Sequence, residues 1–89
     1  MSRHDIPAHR SRTEVSVGWD APMQTFFAQV EDLDAPDDAD PLLLWIGSEP
    51  REIAEPEAMI VPLAPYAELT IEHLIELRRD RDDSNPWEV

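Results

Sequence analysis

Glu14-Val15-Ser16-Val17-Gly18-Trp19 alternates strictly: Val15, Val17 and Trp19 fall on one face of an extended chain, Glu14, Ser16 and Gly18 on the other. A period of two marks a half-buried strand. Asp20-Ala21-Pro22 ends it, because proline has no N–H for a ladder and biases its predecessor away from the helical region. Outward from there, Met23 to Val30 (MQTFFAQV) reads as a second strand rich in β-formers, with Phe26, Ala28 and Val30 on one face and Phe27 and Gln29 on the other. Residues 31–41 (EDLDAPDDADP) read as a long acidic loop carrying two prolines. Leu42 to Ile46 (LLLWI) is an uninterrupted apolar run closed by Gly47. Such a run predicts a third strand buried on both faces, central in the sheet or covered by helix. Three strands joined in sequence predict an antiparallel meander.

The remaining chain changes period. Ser48 to Glu52 predicts a turn or a single helical turn. Pro56 fits the first position of a helix, where its missing N–H is no loss, and Met59, Ile60 and Leu63 then share a face. Pro62 makes that element short or kinked. Thr70 is a good N-cap for a second helix, Glu72 complements its positive end, and Ile71, Leu74, Ile75 and Arg78 follow the helical period. Residues 1–12 (MSRHDIPAHRSR) lack any hydrophobic period and read as a flexible tail, as do residues 82–89. The expected fold class is therefore α+β: a small three-stranded antiparallel sheet followed by two short helices, β-β-β-α-α, over residues 13–81. The helices would cover one face of the sheet and leave Phe27 and Gln29 on the other.

Charge is distributed unevenly along this frame. The chain of 89 residues carries a net charge of −13, yet residues 1–12 balance at +2 and residues 78–89 at −1. The 65 residues between hold fifteen carboxylates and the single cation Arg51. Such a surface repels phosphate backbones and attracts basic partners. Direct nucleic-acid binding is thereby disfavoured. A protein with basic surface is the expected partner.

Chemistry-bearing motifs are scarce. There is no cysteine, no G-x-S-x-G, and only Gly18 and Gly47 are available for any glycine-rich phosphate cradle. The acidic loop starting at Asp32 fails an EF-hand at both decisive positions, where Asp37 and Leu43 stand in place of glycine and glutamate. His4 and His9 lie in the expected tail, and His73 with Glu76 on the last helix is a common surface pair. No catalytic residue, cofactor or metal ligand is assigned, and the chain is expected not to be an enzyme. No apolar segment is long enough to span a bilayer and no apolar stretch follows Met1, so the expectation is a soluble cytoplasmic protein without membrane contact.

Two functions fit these features. The first is a small adaptor or regulatory module that binds a protein through exposed aromatics and acids: Phe27, Trp45, Asp34, Asp37, Asp38, Asp40 and the terminal Trp87. The second is a nucleic-acid mimic whose carboxylates occupy the basic groove of a DNA- or RNA-binding protein. A homodimer is a further expectation, since a second copy would cover surplus aromatics on a core this small.

Overall fold

The computed structural model describes residues 2–83. Its frame is a four-stranded antiparallel sheet in sequential order: β1 (His4–Ile6), β2 (Thr13–Asp20), β3 (Thr25–Asp32) and β4 (Leu42–Ile46). The β2–β3 hairpin follows from the alternation of both segments, which pairs Val15 with Val30, Val17 with Ala28 and Trp19 with Phe26. Its turn uses Pro22 at the second position, where the ring presets φ, and Gln24 at φ 55° to redirect the chain. The Gln24 N–H closes that turn on the Ala21 carbonyl at 3.2 Å.

Two sequence expectations are corrected here. The sheet has four strands rather than three, because His4–Ile6 within the expected tail pairs with β2 through Ile6–Val15, Asp5–Ser16 and His4–Val17. Ser2 extends the pairing, donating its N–H to the Trp19 carbonyl and accepting the Trp19 N–H on Oγ. The second correction concerns β4. In this strand order it lies at the edge of the sheet, and none of its five residues is buried.

The helical layer begins with a 3₁₀ turn over Pro56–Met59, continues into α1 (Ile60–Leu63) and, after a linker, α2 (Ile71–Asp83). Pro56 occupies the first turn as its missing N–H allows, and Pro62 limits α1 to a single turn. The α2 N-terminus is capped reciprocally. Thr70 Oγ1 accepts the His73 N–H at 3.3 Å, while the His73 Nδ1 accepts the Thr70 N–H at 3.1 Å. His73 thus serves the helix end.

Met59, Leu63, Ala67, Leu69, Leu74 and Leu77 pack against Ile6, Val15, Val17, Trp19, Phe26, Ala28 and Val30 to form the core. The Trp19 and Phe26 rings meet at 4.7 Å and 57°, a tilted contact suited to their quadrupoles. The buried stripe of α2 is Leu74 and Leu77, whereas Ile71 and Ile75 are exposed at 72% and 50%. Polar clamps join the layers. His4 Nε2 lies 2.5 Å from Asp80 Oδ2, the His9 N–H donates to the Tyr66 carbonyl, and Arg78 pairs with Glu55 and Glu57. Among the described residues no helix is long and apolar enough to cross a membrane.

Candidate functional site

Alternation in β2 and β3 sends one set of side chains to the helices and the other to a face that no described helix covers. On that open face the register aligns one row across all four strands: Asp5, Ser16, Gln29 and Trp45. The row is polar at β1 and apolar at β4. At its polar end Ser16 is buried, accepting a bond from Arg3 Nη2 at 3.1 Å and donating to Asp5 Oδ1 at 3.0 Å. These three groups satisfy one another and hold β1 on the sheet.

The neighbouring row contains Gly18 and Phe27. A Cβ at position 18 would lie 2.7 Å from two carbons of the Phe27 ring, so glycine is what leaves room for the ring over β2. Phe27 is consequently on the open face, as expected from the sequence, but only 7% exposed. It forms the floor of the surface more than its contact area.

Trp45 supplies that area. It is 54% exposed on the open face; Leu43, 45% exposed, is the extra residue where the β3–β4 register shifts and lies beside Pro65 and Tyr66. Beside Trp45 a shallow cleft of about 160 Å³ is lined by Arg3, Asp20, Met23, Phe27 and Gln29, with the Gly47–Ser48 exit of β4 at its rim. Aromatic and apolar groups of this kind, next to a few polar side chains, make a protein-contact surface.

The acidic loop adjoins the start of β4. Asp32 Oδ1 accepts the Asp34 N–H at 2.9 Å and Asp40 Oδ1 accepts the Leu42 N–H at 2.9 Å, so two of its acids shape turns. Asp34 pairs with Arg12 Nε at 2.8 Å. Asp37, Asp38 and Asp40 are exposed. The acidic loop leads into β4 at Leu42, with Asp34 held by Arg12, while Trp45 lies toward the other end of the strand beside Met23 and Gly47. Trp87 lies outside the described residues.

Other cavities bring together less chemistry. One, of about 380 Å³, is lined by Arg10, Thr13, Asp32, Asp34, Leu43 and Tyr66, and its two aspartates are engaged in the turn and the Arg12 pair just described. Among the described residues no group of three or more His, Cys, Asp or Glu side chains is placed to hold a metal ion. Comparison with known proteins finds no matching family model, no similar curated protein and no similar solved structure.

Proposed function

We propose that this chain is a non-enzymatic protein-interaction module, acting in the cytoplasm, whose binding surface is the β4 end of the open sheet face. The observation that carries the reading is Trp45, a large aromatic left 54% exposed on a face that no described helix covers. Exposed tryptophan is among the strongest contributors to binding when a partner desolvates it. In the loop that leads into the same strand, exposed Asp37, Asp38 and Asp40 add negative charge that accelerates encounter with a basic partner. The net charge of −13 makes a second copy a poor occupant, because like-charged surfaces repel.

The division of labour is testable. A partner captured by the parent chain is expected to be lost with Trp45→Ala. It is expected to persist with Asp37→Asn/Asp38→Asn, whose effect is confined to association rate and low salt. If half-molar salt abolishes capture and Trp45→Ala does not, the surface works through its charge and the nucleic-acid-mimic reading replaces this one. Competition by DNA or RNA for the same partner would mark that outcome.

A further inference from the structure

The open face carries a like-charged pair. Glu14 and Glu31 stand directly opposite one another in the β2–β3 register, and alternation puts both side chains on the open face with Ser16 and Gln29. The Cβ atoms of such a pair lie about 4.5–5.5 Å apart, and like charges so placed destabilise the sheet. Among the described residues no arginine or histidine forms an ion pair with either carboxylate. Arg12, close by in sequence, is taken by Asp34, and Arg3, on the same face, bonds Ser16.

This pair lies within reach of whatever sits on Trp45. Its row and the row of Gln29 and Trp45 are one side-chain repeat apart along the strands, roughly 6.7 Å. With neighbouring strands about 4.8 Å apart, the Trp45 Cβ stands roughly 8 Å from that of Glu31 and 12 Å from that of Glu14. Asp20 adds a carboxylate to the wall of the cleft beside Trp45. The open face thus sets Asp5, Glu14, Asp20 and Glu31 against Arg3, around the aromatic centre of Phe27 and Trp45. Its complement is cationic at the periphery and apolar in the middle.

We infer that the open face takes a partner-protein segment that sets an apolar side chain in the cleft beside Trp45 and, about 10 Å away, an arginine between Glu14 and Glu31. Two adjacent carboxylates match the planar guanidinium, whose five N–H donors serve both at once. A second copy of this chain would bring further carboxylates to the same face, so charge sets it aside. The inference rests on the reading of the open face as a protein-binding surface and adds the side chain that the partner places next to Trp45. A cation held in contact acts on dissociation, whereas the exposed acids of the loop act on association.

The test uses the full chain at physiological salt and three pools of blocked tetrapeptides, ZGGR, ZGGQ and ZGGE, with Z drawn from Leu, Met, Phe and Trp. Three steps of extended chain span roughly 10 Å, the separation required. In NMR titration the arginine pool is expected to shift the Trp45 indole N–H and the Glu14 and Glu31 amides together, binding about tenfold tighter than the glutamine pool. Glu14→Gln/Glu31→Gln is expected to bring the two pools within about twofold while the Trp45 shift remains. Without peptide, Glu31→Gln relieves the repulsion and is expected to raise the melting temperature by about 1–5 °C. Absence of shifts at Trp45 and Glu31 with the arginine pool would overturn the inference, as would a lower melting temperature for Glu31→Gln. An arginine preference that survives Glu14→Gln/Glu31→Gln and disappears with Asp37→Asn/Asp38→Asn would place the cation on the loop and overturn it too. Equal binding of the arginine and glutamine pools, with the Trp45 indole still shifting, would remove the arginine and leave the open-face reading standing. A captured partner unaffected by Trp45→Ala would remove that reading itself.

Discussion

Thr25 shows how a single hydroxyl joins the loop after β4 to the sheet. Its side chain is fully buried, and Oγ1 accepts the Ile53 N–H at 2.8 Å while donating to the Phe26 carbonyl at 2.9 Å. The Phe26 N–H returns to the Ile53 carbonyl at 3.0 Å. Ile53 therefore continues the pairing of β3 where β4 has ended. Thr25→Val keeps the shape and removes the acceptor, leaving the Ile53 N–H buried without a partner. That orphan costs about 1–3 kcal/mol, offset by under ~1 kcal/mol from the added apolar group. The net loss of roughly 1–2 kcal/mol lowers the melting temperature by about 5–15 °C in a domain of this size. Circular dichroism melting measures the loss, and amide exchange at Ile53 locates it. Thr25→Ser should keep Ile53 protected although it gives up a methyl group. A Thr25→Val chain that melts at the parent temperature with Ile53 still protected would refute the clamp.

Three further expectations follow from the packing. Leu77→Ala removes a fully buried side chain between α2 and the sheet and is expected to cost about 2–5 kcal/mol in urea unfolding, a large share of the stability of so small a domain. Gly47→Ala places a Cβ 2.6 Å from the Phe27 Cα at a backbone φ of 78°; a loss of about 1–3 kcal/mol is expected, with amide exchange rising first in β4. Arg78→Ala removes the pairs with Glu55 and Glu57 on a partly exposed surface. Its effect should stay below about 1 kcal/mol and fade as salt is added to the melt.

The parts of the fold that were legible are those with a period. Strict alternation gave β2 and its inward set Val15, Val17 and Trp19, and the cap at Thr70 gave the start of α2. His4–Ile6 has too few residues for any period, and its place is set by the free edge of β2 and by Asp80, 76 residues away. The stripe of α2 was ambiguous, because apolar residues at 71, 74, 75 and 77 fit two overlapping helical faces and only the sheet selects Leu74 and Leu77. For Leu42–Ile46, composition was misleading. An all-apolar run resembles a central strand, whereas position in a sheet depends on connectivity, and the last strand of a meander is an edge. At the proposed site, Trp45 was legible as an aromatic and Asp37, Asp38 and Asp40 as acids. The place of Trp45 on the open face required the β3–β4 register, and the burial of Phe27 required its seat over Gly18.

The central claim is that binding runs through the β4 end of the open face. Calorimetric titration of the captured and purified partner against the parent chain and Trp45→Ala tests it most directly. The expected result is an affinity loss of about thirtyfold or more, as for a tryptophan at the centre of an interface, with circular dichroism confirming that the variant is folded. An affinity unchanged by Trp45→Ala in a folded chain would contradict it.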